Sequence, residues 1–180
     1  MDALKLLVDR RSIRKFTEEK VERNLMKEII SSSAYAPTWA NFQVVRYNVI
    51  DDEKIKTRIG EECYQGFKGN MATLNNAAGV VVLSYVNGKS GHSPSGEVAS
   101  AKGDAWALFD AGIAAQQFCL VAYAKGVGTV IQGIFDEGKI AEIINLPKNE
   151  IVAAVIPYGY EEIHPKAPKR LGVEEISRFI

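Results

Sequence analysis

Apolar residues recur at helical spacing near the start of the chain, and further along they alternate between helical and strand patterns. Leu4, Leu7 and Val8 share one face of a helix, so a first helix is predicted over residues 2–9. A second helix is predicted to begin at a cap on Thr17 and to continue to about Ala34, because its apolar residues also fall on one face. Residues 36–43 contain a proline and are predicted to form a loop before the first strand.

The remaining elements follow the same alternation. Strands are predicted over 44–50, 79–86, 128–134 and 151–158, further helices over 52–63, 70–76, 104–125 and 137–144, and a short amphipathic segment over 173–179. The stretch 87–103 is rich in glycine and serine and is predicted to be a mobile surface loop. No repeat or linker divides the chain, so we expect one α+β domain over residues 1–180, with helices against a central sheet.

The predicted helix 104–125 is apolar nearly all round. It carries Asp110, Gln116 and Gln117, so it falls short of a clean membrane span, and we predict that it is buried on most sides. In a chain of 180 residues, such a helix often needs a second subunit to cover it. The pattern therefore favours an oligomer over a membrane protein.

Charge and cysteine content argue against several classes of protein. The 22 lysines and arginines balance 22 aspartates and glutamates, which disfavours a general nucleic-acid or membrane-surface binder. Cys63 and Cys119 form no CxxC motif, and His92 and His164 have no companion at metal-ligand spacing, so no metal site is expected. The first residues lack the apolar core of a signal peptide, and we expect a cytoplasmic protein.

Two glycine-containing segments resemble nucleotide-binding motifs but lack required positions. The sequence GKS at 88–90 would complete a phosphate-binding loop only with glycine at position 83, where the chain has Leu83. The sequence GVG at 126–128 would begin a dinucleotide fingerprint, but its third glycine position is Ile131 and a helix precedes it. We therefore predict neither a nucleotide triphosphatase nor a Rossmann dehydrogenase.

The run RRSIRKF at residues 10–16 places four cations and one hydroxyl after the first predicted helix. Arginine side chains suit a phosphate group, and Ser12 can add a hydrogen bond. Taken alone, the run is better explained by basic residues that complement a helix dipole. Three further segments change this interpretation: APTWANFQ at 36–43, GVGT at 126–129 before IQG at 131–133, and the late basic pair Lys169 and Arg170.

In order and spacing, these four segments resemble the FMN-dependent nitroreductase family over nearly the whole chain. The resemblance implies a nitroreductase-like α+β fold, with a central mixed, mostly antiparallel sheet flanked by helices and a long buried helix at the dimer core. It also implies a homodimer with two FMN sites at the interface. NAD(P)H would be the reductant, and the electron acceptor would be a small molecule such as a nitroaromatic or a quinone.

The resemblance further assigns cofactor-binding roles to individual residues. Those that would hold the FMN phosphate and ribityl hydroxyls are Arg10, Ser12 and Arg14, joined by Lys169 or Arg170, and the neighbouring Arg11 is also assigned to the cofactor site. Those that would reach the flavin from the partner subunit are Pro37, Thr38, Trp39 and Asn41, and Gln43 in the same segment is also assigned to the cofactor site. Asn70 falls where the family places a polar contact to the flavin ring, and the opposite side of the ring would be lined by Val130, Ile131, Gln132 and Gly133, partly through backbone amides.

The chemistry of FMN agrees with this assignment. Its phosphate carries about two negative charges near neutral pH, which a cluster of arginines and a lysine from both ends of the chain would neutralise. The flavin itself supplies the hydride chemistry, so no catalytic side chain is expected. Amide or cationic donors near the ring would stabilise its anionic reduced form.

Departures from the family pattern leave the substrate open. Val44 and Val45 stand where many members have proline and an aromatic residue, and Trp39 is bulky where small residues are common. The stretch 87–103 is the candidate for a substrate lid. Relatives that reduce enones or halogenated aromatics, or oxidise peptide heterocycles, remain alternatives. So do a flavin storage or sensor protein without efficient turnover, and a plain α+β domain whose basic run only packs a dimer.

Overall fold

The computed structural model describes residues 2–180, and at its centre lies a four-stranded sheet in the order β1-β2-β4-β3. The strands are β1 (Val45–Ile50), β2 (Gly79–Val86), β3 (Gly128–Thr129) and β4 (Glu150–Gly159), and each neighbouring pair is antiparallel. All eight residues of β2 are buried, which explains its apolar sequence, interrupted only by Ser84. A parallel bridge between Ser12 and Thr129 adds the parallel component of the predicted mixed sheet.

Seven α-helices surround the sheet within residues 2–180. They are α1 (Ala3–Asp9), α2 (Arg23–Ser33), α3 (Glu53–Cys63), α4 (Lys68–Asn76), α5 (Ala105–Ala124), α6 (Glu137–Ile143) and α7 (Val173–Ile176). Helices α2 and α5 contribute to an apolar core on one side of the sheet, and α3, α4 and α6 contribute to a second core on the other. The predicted α+β class and mostly antiparallel sheet are therefore confirmed.

Two predicted elements are shorter than expected. The second helix begins at Arg23 rather than near Thr17, because the Thr17 amide donates to the carbonyl of Tyr160 (2.9 Å) and holds this backbone in an extended pairing. Strand β3 ends at Thr129 rather than at 134. The Val130 amide still donates to the carbonyl of Pro157 (3.3 Å), but proline has no N–H to return the bond, so the regular ladder stops there.

The segment 10–16 crosses the end of the sheet in an extended conformation. The Ile13 amide donates to the Thr129 carbonyl (2.9 Å), and the side chains of Ile13 and Phe16 are buried. Gly128 permits this close approach, since a Cβ at that position would lie 2.8 Å from Cγ1 of Ile13. The position of the basic run is thus set by backbone pairing and by two buried apolar side chains.

Helix α5 is buried on one face only. Its small and apolar residues Ala107, Ala111, Ala114 and Phe118 pack into the core, whereas Leu108 and Phe109 are 52% and 57% exposed. The exposed face borders a groove of about 770 Å³, lined by Ala105, Leu108, Phe109, Gly112, Ile113, Gln116, Gln117 and Leu120. Within residues 2–180, α5 is also the one helix that is long and apolar enough to suit a membrane span, a property shared by core helices of soluble proteins.

The stretch 87–103 contains no helix or regular strand, as predicted, but it is folded on itself. His92 and Val98 form a β-bridge, and the amides of Ala99 and Ser100 both donate to the carbonyl of Gly91 (2.9 and 3.0 Å). Ser90 is fully buried rather than exposed. The loop 87–103 is therefore anchored in the protein interior near its first residues, at Ser90.

Candidate functional site

A cavity of about 410 Å³ separates the basic run from the C-terminal segment. It is lined by Arg10, Arg11, Ser12, Arg14, Pro165, Lys166, Pro168 and Arg170. The two segments are held together at one end, because the Glu162 amide donates to the Lys15 carbonyl (3.1 Å) and Phe16 pairs with Glu161. Ile13 and Phe16 are buried beneath the run. The structure thus brings cations from both ends of the chain to one place.

Five cations and no carboxylate line this cavity. None of the five forms an ion pair with any acidic side chain in the part of the chain that the structure describes. The Nε atoms of Arg10 and Arg11 are buried and have no hydrogen-bond partner. Buried guanidinium nitrogens normally have an acceptor, so the cavity is suited to an anion with several oxygens, such as a phosphate monoester.

One nitrogen of Arg11 donates to the backbone. Its Nη1 donates to the carbonyls of Val8 (2.6 Å) and Arg10 (3.0 Å), at the end of α1. Arg14 makes one long contact, from Nη1 to the carbonyl of Ser12 (3.4 Å), and is otherwise free to turn toward a ligand. Within the run 10–16, Arg10 and Arg14 are therefore the arginines with the most capacity left for an anion.

The C-terminal contribution differs in detail from the predicted pair. Arg170 lines the cavity, but Lys169 is exposed and does not, and Lys166 lies there instead. Sequence analysis missed Lys166 because a single lysine in a polar tail carries no pattern. The one sequence feature that could have pointed to Lys166 is its position between Pro165 and Pro168, because the two prolines restrict the backbone on both sides of it.

The segment 130–133 lies next to the cation cavity, because Thr129 pairs with Ser12 on one side and continues into this segment. Val130 and Gln132 are buried, whereas Ile131 and Gly133 are exposed. The Gln132 amide donates to the Val155 carbonyl (2.8 Å). Within residues 2–180, no hydrogen bond is found for the amides of Ile131 and Gly133, so both are available as donors.

Asn70 on α4 lies against this same segment. Its side-chain amide is 3.5 Å from the carbonyl of Ile134, and its own carbonyl is 3.5 Å from Nε2 of Gln132. The predicted contact residues Asn70 and 130–133 are therefore brought together, next to the predicted phosphate site. The Gln132 side chain is buried, and the backbone amide and carbonyl of Gln132 both pair with Val155.

Tyr64 holds this segment from below and was not predicted. It is fully buried at the end of α3, and its hydroxyl donates to Oε1 of Gln132. Burial raises the pKa of the Tyr64 phenol, so the hydroxyl keeps its proton at neutral pH and remains a donor. No sequence motif marks this tyrosine, because its partner is distant in the chain and the contact depends on the tertiary fold.

The loop 36–43 lies elsewhere on the molecule. It contains a 3₁₀ turn over Trp39–Asn41, and three of its non-glycine residues adopt left-handed backbone conformations: Ala40, Asn41 and Gln43 (φ of 46, 56 and 49°). The Gln43 amide donates to Oγ1 of Thr38 (2.9 Å). Pro37, Asn41 and Gln43 are exposed. Among the described residues, no hydrogen bond joins this loop to the residues of the cation cavity, and no residue of the loop lines that cavity.

The Trp39 indole does not extend into open space. It stacks at 5.1 Å from the Trp106 ring, and its Nε1 donates to the carbonyl of His92 (3.0 Å). The Trp39 amide is 3.1 Å from both carboxylate oxygens of the buried Asp110. The bulky Trp39 side chain is thus anchored within its own chain.

The two cysteines are buried and free. Burial raises the pKa of the Cys63 thiol to about 11 and also raises that of Cys119, so neither is an activated nucleophile at neutral pH. Over residues 2–180, no group of three histidine, cysteine or acidic side chains is placed to hold a metal ion.

Comparisons with known proteins identify a matching family model, related sequences and similar structures. The model of the nitroreductase family matches residues 7–160. The chain is 26% identical to an NADH dehydrogenase of Thermus thermophilus, over 98% of this chain and 95% of that protein. It is 25% identical to an NADPH-flavin oxidoreductase of Vibrio harveyi, over 94% of this chain and 70% of that protein. An FMN-dependent nitroreductase of Clostridium difficile has a similar structure, with a TM-score of 0.77, 24% identity and coverage of 97% and 98% of the two chains.

The Tyr64→Phe substitution tests the support beneath segment 130–133. It leaves Oε1 of buried Gln132 without its donor, so we expect the free energy of unfolding to fall by about 1–3 kcal/mol in urea titrations. Tyr158→Phe is the control, since Tyr158 is equally buried and its hydroxyl makes no hydrogen bond among the described residues. Equal effects of the two substitutions would show that the Gln132 bond contributes nothing specific.

Proposed function

The chain belongs to the nitroreductase family, and on this basis we propose that it is an FMN-dependent oxidoreductase. It takes electrons from NAD(P)H and passes them through one bound flavin to a small, electron-poor acceptor such as a nitroaromatic or a quinone. The observation that carries the proposal is the cavity lined by five cations without carboxylate partners, contributed by both ends of the chain. A cytoplasmic location, where NAD(P)H is available, accords with this activity.

In the proposed complex, the cation cavity binds the phosphate of FMN. Arg10 and Arg14 supply charge-assisted hydrogen bonds, and Arg170 and Lys166 close the site from the C-terminal side. The buried Nε atoms of Arg10 and Arg11 gain the acceptors that they lack. A phosphate dianion also relieves the mutual repulsion of five cations within one cavity.

The adjoining segment 130–133 faces the flavin ring. When bound, the flavin accepts and donates hydride, and this chemistry is its own. The exposed amides of Ile131 and Gly133 are donors that favour negative charge on a neighbouring ring, and Ile131, which is 46% exposed, covers part of the ring from water. Asn70 and Tyr64 hold the segment in place.

The proposed assembly is a homodimer in which the exposed face of α5 meets the same face of a second copy. This face is apolar, and its residues Leu108 and Phe109 are more than half exposed in one chain. A patch of this kind is typical of subunit interfaces. Because the loop 36–43 does not meet the cation cavity of its own chain, it is available to complete the site of the partner subunit.

Substitution of the arginines tests the cofactor site. We expect Arg10→Ala and Arg14→Ala each to weaken FMN binding by about 1.5–3 kcal/mol, because each removes a charge-assisted bond to phosphate. Flavin fluorescence titration measures the affinity, and NAD(P)H oxidation with a quinone should require at least about tenfold more FMN. Arg58→Ala is the matched control, since Arg58 is exposed and paired with Glu62.

Unchanged FMN affinity in both arginine variants would contradict the proposed phosphate site. A wild-type protein that binds FMN but oxidises neither NADH nor NADPH would instead refute the reductase activity and favour a flavin store or sensor.

The Leu108→Glu substitution tests the dimer. A charge buried in an apolar interface costs several kcal/mol, so we expect the variant to be monomeric in sedimentation equilibrium and to bind FMN weakly. Val49→Glu is the control, because it adds the same charge at an exposed apolar position on β1. A wild-type monomer, or a Leu108→Glu dimer with normal FMN affinity, would contradict the proposed interface.

A further inference from the structure

A buried carboxylate joins two loops that are distant in sequence. Asp110 lies in the N-terminal half of α5 and is 2% exposed. It accepts hydrogen bonds from the Trp39 amide, at 3.1 Å to each oxygen, and from the Ser90 hydroxyl, at 2.6 Å to Oδ2. One donor belongs to the loop 36–43 and the other to the loop 87–103, so a single side chain holds both.

Two indoles strengthen the same junction. Trp39 donates from Nε1 to the carbonyl of His92 (3.0 Å), and Trp106 donates from Nε1 to the Ser100 hydroxyl, so each ring is bonded to the loop 87–103. The rings themselves lie 5.1 Å apart at an angle of 50°. We call Asp110, Ser90, Trp39 and Trp106 the loop clamp.

The loop 36–43 needs external support. Three of its residues adopt left-handed backbone conformations that non-glycine residues disfavour, and the Thr38 hydroxyl supplies one bond within the loop. The bonds from Trp39 to Asp110 anchor it to α5. A buried carboxylate is costly unless its oxygens are satisfied, so this pairing stabilises one loop position over others.

The clamp also lies beside the proposed subunit interface. Asp110 directly follows Leu108 and Phe109, which are on the exposed face of α5, and Phe109 packs edge-on against Trp106 at 5.0 Å. The clamp is therefore in contact with the face through which the loop 36–43 would reach a second copy.

We propose that Asp110 is a positioning residue that fixes the loops 36–43 and 87–103 as one unit, in the position from which the first loop completes the flavin site of the partner subunit. This inference rests on the proposed function. Asp110 itself contacts no cofactor; it acts through the Trp39 amide. The loop 87–103 then moves with the flavin-contacting loop rather than as an independent lid.

Three variants test the clamp. Asp110→Asn keeps the shape but removes the charge and one acceptor, and Ser90→Ala removes one donor and leaves Asp110 in place. Ser84→Ala is the matched control: Ser84 is also fully buried, and it also donates a 2.6 Å hydrogen bond to a carboxylate, that of Glu150, but on the sheet. A general loss of stability would affect the control as well.

Two readouts separate the clamp from the proposed function. The chain has two tryptophans, both in the clamp, so near-ultraviolet circular dichroism of the protein without FMN reports their coupling. We expect Asp110→Asn to reduce this signal and to raise the FMN dissociation constant about tenfold, and Ser90→Ala to raise it about threefold. Ser84→Ala should change neither the dichroism signal nor the FMN dissociation constant by more than about twofold.

The outcomes distinguish a failure of the proposed FMN-dependent function from a failure of the positioning role of Asp110. If wild-type protein does not bind FMN, the proposed function fails, and with it the positioning role; the dichroism then shows only whether the clamp itself exists. If wild-type protein binds FMN and neither Asp110→Asn nor Ser90→Ala weakens binding relative to Ser84→Ala, the positioning role is overturned. If Asp110→Asn does not fold, the comparison of Ser90→Ala with Ser84→Ala decides alone.

Discussion

The backbone pairing between Ile13 and Thr129 fixes where the arginines of the basic run lie. It holds an extended segment across the end of the sheet, with Ile13 packed over Gly128 and Phe16 packed over Gly159. Because these two side chains are buried, the neighbouring arginines are directed into the cavity above. The same pairing places the cations beside segment 130–133, so one contact organises both halves of the proposed cofactor site.

Helix α5 has a different role on each of its faces. One face contributes small residues to the core, and the opposite face is apolar and exposed. Near its N-terminus, Asp110 holds two loops. A helix that packs into the core on one face and forms the proposed subunit interface on the other must be apolar nearly all round, and its single buried acid lies at the loop junction.

The sequence predicts the fold well where burial dictates residue type. The strand Gly79–Val86 has the predicted bounds. Every one of its residues is buried, and a short, mostly apolar run of this kind is typical of a fully buried strand. The basic run was recognisable because four cations in six residues are rare in a neutral chain. Tertiary contacts explain the errors. Pairing with the tail keeps residues 17–22 out of α2, and Pro157 ends β3 by lacking an amide proton.

Several residues of the candidate site could not be predicted from the sequence around them. Lys166 and Lys169 are both lysines in a polar tail, and only the fold distinguishes the one that lines the cavity. Tyr64 and Asp110 act on residues 68 and 71 positions away, so no window of sequence contains either contact. Motifs predicted the segments of the proposed cofactor site, but not the buried polar groups that hold those segments in place.

The central claim is that the cation cavity recognises a phosphate, and parallel titration of the protein with FMN and with riboflavin tests it most directly. The two ligands share the flavin ring and ribityl chain and differ in the phosphate alone. We predict that FMN binds at least about 100-fold more tightly than riboflavin, since two or more charge-assisted bonds are at stake, and that the difference narrows as salt is added. Equal affinities for FMN and riboflavin would contradict this account.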